Sequence, residues 1–126
     1  MDYMLMFYET QDDFDRRSSR DHSQPYWAGW MSYVQSMHAS GLVKSGAGLQ
    51  PPATATTLRS TGGKRHVQDG PFADTKEAFA GIIVIDVADL DAAIAWAEKC
   101  PAAQWGTVEI RPSAVRVVDG DWVNAN

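Results

Sequence analysis

The chain has 126 residues, 16 acidic and 11 basic, which gives a formal net charge of −5. A chain of this length is typical of one domain and buries about two thirds of its unfolded surface on folding. The negative charge opposes attraction to phosphate backbones, which argues against nucleic acid as a direct partner. The longest apolar runs, 3–8 and 79–85, are far shorter than the roughly 20 residues of a membrane-spanning helix. We therefore expect one domain, 1–126, with no membrane role.

The single cysteine, Cys100, cannot form an internal disulfide, and the opening residues MDYMLMFYE lack a basic region and a cleavage site. Both features predict a cytoplasmic protein. Cys100 lies at the C-terminal end of a predicted helix, where the helix dipole disfavours a thiolate. We expect it to be a core residue and not a nucleophile.

The first half of the chain predicts one buried strand and one helix. Residues 3–8 (YMLMFY) have no polar face, as in a central strand covered on both sides. Residues 9–24 are highly charged with few aliphatic side chains, which predicts a long solvated loop. A helix is expected over 25–39, because Pro25 can begin it, apolar residues recur at helical spacing, and Gly41 can end it. The tryptophans Trp27, Trp30 and Trp96 are expected to pack on helical core faces.

The second half predicts a hairpin followed by a second strand, helix and strand. A short strand is expected within 42–52, followed by a β-hairpin over 54–60 and 65–68. A strand that is apolar on both faces is expected over 79–87, followed by a helix capped by Asp89. The last strands are expected around 108–111 and 115–117, interrupted by Pro112. This order, β-α-β, hairpin, β-α-β, matches the split β-α-β, ferredoxin-like plan of an α+β domain.

Two of these strands are apolar on both faces, whereas helices in this plan cover only one face of the sheet. A second subunit supplies the missing cover most simply, by packing its own sheet against the first. We therefore expect a homodimer with an enclosed space between the two sheets.

Motifs for nucleotides and metals are incomplete. The stretch TGGK, followed by Arg65, lacks the glycine spacing and the hydroxyl of a phosphate-binding loop, and GAG at 46–48 runs into prolines instead of a helix. His22, His38 and His66 have no metal-ligand spacing. We expect neither a metal nor a cofactor.

Charged residues on predicted strands are the candidates for a site. Glu109 and Arg111 alternate with apolar residues, so they would face the space between the subunits. Arg59, His66 and Asp69 of the hairpin could border the same space, where arginine suits a carboxylate ligand. The alternative is that all five are solvated edge residues.

The stretch DGPFADTKEAF, residues 69–79, combines turn residues with an acid. Turn formation accounts for Gly70, Pro71 and Phe72. It does not explain why Asp69 follows His66 by three residues, where a carboxylate could orient an imidazole. Asp69 and His66 are therefore the candidate acid–base residues, and a pure turn role for Asp69 is the alternative.

The run DGPFADTKEAFAGIIVIDVADLDAAIAWAEKCPAA, together with VEIRPS, GLQPPATATTLR and DYMLMFY, resembles the DGPF branch of the YCII-related family. The resemblance implies a dimeric α/β barrel of ferredoxin-like subunits. Some relatives are thought to act as lyases through a His-Asp pair. In this chain Cys100 occupies the position where those relatives have the acid, and His22 only loosely matches the position of their histidine. The His-Asp pair of these relatives is therefore not predicted for this chain.

Two functions follow from these observations. The first is a dimer that binds a small polar or anionic organic molecule between the sheets, held by Arg59 and Arg111, with cofactor-independent lyase or isomerase chemistry by Asp69 or His66. The second is a non-catalytic regulatory partner of an extracytoplasmic-function sigma factor, because the resemblance implies genes that neighbour such factors. A retained small molecule would favour the first function, and co-purification with a sigma factor would favour the second.

Overall fold

A computed structural model describes residues 1–126 of the protein. The strands in chain order are β1 Asp2–Thr10, β2 Val43–Gly48, β3 Thr56–Thr61, β4 Lys64–Asp69, β5 Glu77–Asp86, β6 Thr107–Pro112, β7 Val115–Val118 and β8 Asp121–Asn124. The helices are α1 Gln11–Arg16, α2 Ser23–Ala39, α3 Leu90–Glu98 and α4 Ala102–Trp105, and a 3-10 turn spans Pro52–Thr54. No helix combines the length and hydropathy that crossing a membrane requires.

Four of the strands form one antiparallel sheet in the order β2-β5-β1-β6. Leu5 in the central strand β1 lies opposite Ile83 on one side and Ile110 on the other. This strand order with crossing helices is the ferredoxin-like arrangement, so the predicted α+β fold is confirmed. The hairpins β3–β4 and β7–β8 form two separate small sheets.

The core lies between this sheet and the helices. Residues of β1 alternate in burial, with Tyr3, Leu5 and Phe7 buried on the helix side. They pack against side chains such as Tyr33 and Met37 from α2. Burying one such apolar side chain stabilises the fold by roughly 1.5–3 kcal/mol, so this layer holds the helices on the sheet.

The centre of the other face of the sheet is apolar and has no helix over it. Met4, Met6 and Tyr8 of β1 point there, beside Ile82 and Val84 of β5. All five are only partly buried. We call these five residues the open sheet face. The two doubly apolar strands predicted from sequence are thus observed, and one of their faces has no cover within the chain.

The predicted loop over 9–24 is wrong, because the chain folds into α1 and the start of α2 there. Thr10 and Asp13 form a capping box: the Thr10 Oγ1 accepts from the Asp13 backbone N–H at 3.3 Å, and an Asp13 carboxylate oxygen accepts from the Thr10 N–H at 2.9 Å. Such a box satisfies orphan donors at a helix start. One buried aromatic ring, Phe14, anchors the turn despite the lack of aliphatic residues.

The C-terminal region also differs from the expectation. Pro112 ends β6, and the chain leaves the sheet to form the β7–β8 hairpin instead of continuing as one interrupted strand. Proline has no N–H for a sheet ladder, which explains the ending. Trp122 lies on β8, which the sequence did not predict, and is largely exposed.

Gly70 ends the β3–β4 hairpin in a backbone conformation that favours glycine, with φ of 99°. Its N–H donates to the Ala55 carbonyl at 2.8 Å, and its own carbonyl accepts from the Thr57 hydroxyl at 2.8 Å. Because both hydrogen bonds fix this turn, a substitution cannot relax easily. We predict that Gly70→Val lowers the free energy of unfolding by roughly 1–3 kcal/mol, measured by urea denaturation.

Gly29→Ala is the matched control for that measurement. Gly29 lies within α2, where an added Cβ would meet its nearest atom, a Pro101 side-chain carbon, at an ordinary 3.7 Å. Alanine there should stabilise the helix by up to about 1 kcal/mol. Equal free energies of unfolding for Gly70→Val and the unsubstituted protein would show that the turn does not need a glycine.

Candidate functional site

The most unusual residue of the core is a charged one, Glu9. Like Tyr3, Leu5 and Phe7, it points from β1 to the helix side of the sheet, and its exposed fraction is 0%. A buried carboxylate is costly unless donors surround it. The protein supplies those donors from three other segments of the chain, so Glu9 joins parts that are distant in sequence.

The Glu9 carboxylate accepts hydrogen bonds from a guanidinium, a phenol and an indole. Arg17 Nη2 donates at 3.0 Å to Oε1, and the Tyr26 hydroxyl lies 2.8 Å from Oε1 and 3.0 Å from Oε2. Trp105 Nε1 donates to Oε2 at 2.9 Å. We call these four residues the Glu9 cluster.

Local structure brings each donor to this point. The capping box turns the chain back after β1, so that Arg17 at the end of α1 reaches Glu9. Tyr26 lies in the first turn of α2. Trp105 ends α4, which is followed by Gly106, where a Cβ atom would overlap the backbone oxygen of Tyr8. Glycine at that position therefore allows α4 to approach β1 closely.

Arg17 uses four of its five N–H donors inside the protein. Beyond Glu9, its Nε donates to the Tyr26 hydroxyl at 3.0 Å, Nη1 donates to the Leu49 carbonyl, and Nη2 lies 3.4 Å from the Ala80 carbonyl. Its guanidinium is therefore committed to compensating the Glu9 charge and to joining α1 with the ends of β2 and β5. It keeps one Nη1 hydrogen for a ligand, while its charge is already paired with Glu9.

Tyr26 is the hydrogen-bond centre of the cluster. Burial, reinforced by the neighbouring Glu9 carboxylate, raises the pKa of Tyr26 to about 12. The hydroxyl therefore stays protonated near neutral pH, donating to Glu9 while it accepts from Arg17. Chemically it can serve as a hydrogen-bond donor.

A cleft of about 380 Å³ opens beside the Glu9 cluster, between α2 and strands β2 and β5. Ten of its 15 lining residues are hydrophobic, and Glu9, Arg17 and Tyr26 form a polar region. Small residues line the strand side, namely Gly46, Ala47, Gly48, Ala80 and Gly81. Aromatic rings line other parts of it, namely Phe7, Trp27 and Trp30. An apolar cleft with a few converging polar groups is the usual form of a small-molecule site.

Trp27 borders this cleft and is not a core residue, so its predicted packing role is wrong. It is 48% exposed, and its indole N–H donates to the Arg17 carbonyl at 3.0 Å. Tyr26, the preceding residue, takes the buried position on α2 instead. Trp30 and Trp96 do pack against the core, as expected.

The hairpin residues predicted for the site are only partly brought together. Arg59 and His66 are cross-strand partners, and they line a hollow of about 200 Å³ together with Phe72. Asp69 lies opposite Thr56 and is three positions from His66, so it points to the other face of the hairpin. The structure does not place the Asp69 carboxylate beside the imidazole.

Glu109 and Arg111 lie on the open side of the main sheet, away from the helices. Arg111 Nε donates to a Glu109 carboxylate oxygen at 2.8 Å, and the two side chains are 71% and 41% exposed, respectively. Within the chain the two residues pair with each other. They belong to a different sheet from Arg59 and His66.

Cys100 is fully buried in the core, where burial raises the pKa of its thiol to about 12. A thiol with such a pKa is not a nucleophile near neutral pH. The expectation that Cys100 is a packing residue is confirmed.

The sequence reasoning missed the Glu9 cluster entirely. One signal was present: Glu9 continues the alternation of Tyr3, Leu5 and Phe7, which would have predicted an inward-pointing carboxylate. Its indole donor Trp105 is 96 residues away, and no local pattern indicates such a pairing.

Glu9→Gln should be strongly destabilising. An amide would place donor hydrogens against the indole and guanidinium donors and would leave Arg17 without its charge partner. We predict a loss of roughly 3 kcal/mol or more in the free energy of unfolding, measured by urea denaturation. Glu98→Gln, an exposed position on α3, is the control and should change stability by less than about 0.5 kcal/mol. Equal effects of the two substitutions would contradict the role of the cluster.

Three comparisons with known proteins bear on this site. The chain is 39% identical over 103 residues to an uncharacterized protein, R00369, of Rhizobium meliloti (strain 1021), a match covering 80% of this chain and 77% of that protein. The fold of the present chain is similar to that of the 5-chloro-2-hydroxyhydroquinone dehydrochlorinase TftG of Burkholderia phenoliruptrix AC1100, solved in complex with 2,5-dihydroxybenzoquinone. The TM-score is 0.51 at 12% sequence identity, covering 88% of this chain and 91% of that one. The model of the YCII-related domain matches residues 1–115, and the chain therefore belongs to the YCII-related family.

Proposed function

We propose that the protein binds a small, flat, uncharged organic molecule in the cleft between α2 and strands β2 and β5. The observation that carries this proposal is the cleft itself, which is mostly apolar and has a polar region where a buried carboxylate is already neutralised by Arg17. With no spare charge in that region, a neutral ligand suits the cleft better than an ion. Its volume of about 380 Å³ is at the small end of ligand pockets and fits a molecule of one to three rings.

The lining favours a flat molecule. Glycine and alanine on the strand side let a ring approach the backbone closely, and the rings of Trp27 and Trp30 offer faces and edges to pack against. A neutral flat ligand differs from the anionic ligand expected for Arg59 and Arg111. Arg111 is already paired with Glu109, so it is less suited to hold a carboxylate.

The structural neighbour supports the flat shape of the ligand. The dehydrochlorinase was solved with 2,5-dihydroxybenzoquinone, a flat ring carrying oxygen atoms. We carry over only the kind of molecule, a flat oxygen-bearing ring. Small-molecule binding is preferred to a sigma-factor partner because the cleft supplies a site, whereas the regulatory alternative draws on the acidic charge and the family resemblance.

Acid–base chemistry at this site would use Glu9 and Tyr26. Glu9 is the one carboxylate that lines the cleft, but its side chain is fully buried, so it could accept a proton from a ligand hydroxyl or an acidic C–H group only after the side chains around it move. Tyr26 already donates its one O–H to Glu9, so its part would be to hold the Glu9 carboxylate in position. These two residues take the place that Asp69 and His66 held in the sequence-based hypothesis.

We further propose that a second copy of the chain covers the open sheet face, giving a homodimer with two sheets packed face to face. The five apolar residues of that face lie on the two central strands, β1 and β5, and stay partly exposed in one chain. A copy related by twofold symmetry presents the same apolar surface. The Glu109–Arg111 pairs of both subunits would then lie near this interface.

Gly48→Val tests the cleft, with 9-fluorenone as a flat aromatic probe. Gly48 pairs with Gly81 on β5, and Gly81 pairs with Phe7 on β1. Paired residues share a face of the sheet, so a side chain at Gly48 would project to the helix side, as Phe7 does. The cleft lies on that side. An added Cβ meets no atom within 4 Å, so valine should fill the cleft without strain. We predict that calorimetric titration shows fluorenone binding to the unsubstituted protein and a loss of at least tenfold in affinity for Gly48→Val.

The control for this titration is Ala28→Leu, which adds bulk to an exposed position on α2 outside the cleft. It should bind the probe as the unsubstituted protein does. If Gly48→Val binds fluorenone with unchanged affinity, the cleft is not the binding site.

Met6→Lys tests the dimer. Met6 lies at the middle of the open sheet face, between Ile82 and Glu109, so a buried ammonium there would oppose association. We predict a dimer mass by light scattering at micromolar concentration and a shift towards monomer for Met6→Lys. Leu90→Lys, an exposed position on α3, should remain dimeric. A monomer mass for the unsubstituted protein would contradict the proposed interface.

A further inference from the structure

The hairpin β3–β4 stands apart from the rest of the chain. Its two strands pair with each other and with no other strand. Every residue of these strands except Thr57 is exposed. A two-stranded hairpin without further packing is only marginally stable in water. We therefore expect this hairpin to make contact with something outside the chain.

One face of this hairpin is basic and has no acid on it. Strand pairing places six residues on that face, namely Thr57, Arg59, Thr61, Lys64, His66 and Gln68. Arg59 and Lys64 form no salt bridge, and the Arg59 guanidinium lies over the Phe72 ring, 5.1 Å from its centre. We call these six residues the basic face. It is a local positive surface on a chain whose formal net charge is −5.

The turn between β7 and β8 is acidic and has no base to pair with. Asp119 and Asp121 flank Gly120 there, and neither acid forms a salt bridge. Arg116, the one basic residue of this hairpin, donates instead to Asp2 at 3.2 Å. The φ angles of Asp119 and Gly120, 50° and 87°, are those of a tight two-residue turn. We call residues 119–121 the acidic turn.

The two hairpins leave the main sheet at opposite ends. The segment that carries β3–β4 leaves β2 at Gly48 and returns at Glu77, which pairs with Thr10 at the end of β1. Strand β6 ends at Pro112, which pairs with Tyr3, so the β7–β8 hairpin follows at the start of β1. The nine residues of β1 span about 30 Å. This separation agrees with the absence of any salt bridge between the basic face and the acidic turn of one chain.

We infer that the basic face is a docking site for the acidic turn of a second copy of the chain. This inference rests on the proposed homodimer and deepens it by fixing how the two sheets are oriented. A twofold axis that lies between the sheets and crosses their strands places the Thr10 end of one sheet over the Asp2 end of the other. Each hairpin then lies at the same end as the opposite hairpin of the partner, and the contact forms twice in one dimer.

The side chains of the basic face suit a carboxylate. Arg59 offers a fork of N–H donors, and His66 and Gln68 line the same hollow and can donate as well. The hollow has a volume of about 200 Å³, below the roughly 300 Å³ of the smallest ligand pockets. An aspartate side chain at the tip of a neighbouring hairpin therefore suits it better than a free ligand.

An exchange of charges between the two surfaces tests this contact. Arg59→Glu and Asp121→Arg each place like charges together, and the double variant restores opposite charges with the signs exchanged. Arg65→Glu is the control, because Arg65 pairs with Ser60 and lies on the other face of the same hairpin. Dimer dissociation constants are measured by sedimentation equilibrium at low salt, where exposed charges are least screened. Melting curves confirm that each variant is folded.

We expect each single reversal to weaken the dimer about tenfold, because every contact is present twice in a twofold dimer. The double variant should return to within about threefold of the unsubstituted protein, since the two changes are coupled. Arg65→Glu, which changes the net charge as much as Arg59→Glu does, should stay within the same range. High salt should reduce the differences between the variants.

Three results would overturn the inference. If Arg59→Glu weakens the dimer no more than Arg65→Glu does, the basic face takes no part in association, while the dimer itself would stand. A double variant no more stable as a dimer than the single variants would show that the two surfaces do not meet. A monomer mass for the unsubstituted protein would contradict the inference together with the proposed dimer.

Discussion

The burial of one carboxylate, Glu9, is the constraint on which the site depends. An ionised group that is buried away from solvent lowers the stability of the fold by several kcal/mol unless hydrogen-bond donors surround it. Arg17, Tyr26 and Trp105 supply those donors from α1, α2 and α4. The charge therefore sets how these helices lie on the sheet, and it leaves a polar region in an otherwise apolar cleft.

The two faces of the sheet differ in what covers them. The helix side carries the core, the Glu9 cluster and the cleft, so chemistry and packing share one layer. The open side carries the five apolar residues of the open sheet face, with the Glu109–Arg111 pair beside them, and its apolar centre suits contact with an identical sheet. A ligand in the cleft and a partner on the open face would not compete for the same surface.

Sequence patterns predicted the elements that depend on local chemistry. The doubly apolar strands, the Gly62–Gly63 turn with two positive φ angles and the Asp89 cap all follow from neighbouring residues. Helix α1 was missed because a single ring, Phe14, replaces the usual apolar periodicity. The site was missed because its bonds join residues up to 96 positions apart. Asp69 and His66 are close in sequence, but strand alternation separates their side chains.

A crystal structure of the protein soaked with 9-fluorenone tests the central claim most directly, because it reports the location of the ligand without reference to any activity. We expect electron density for the probe between Trp27, Trp30 and Gly48. Density on the open sheet face or in the Arg59–His66 hollow, with the cleft empty, would contradict it.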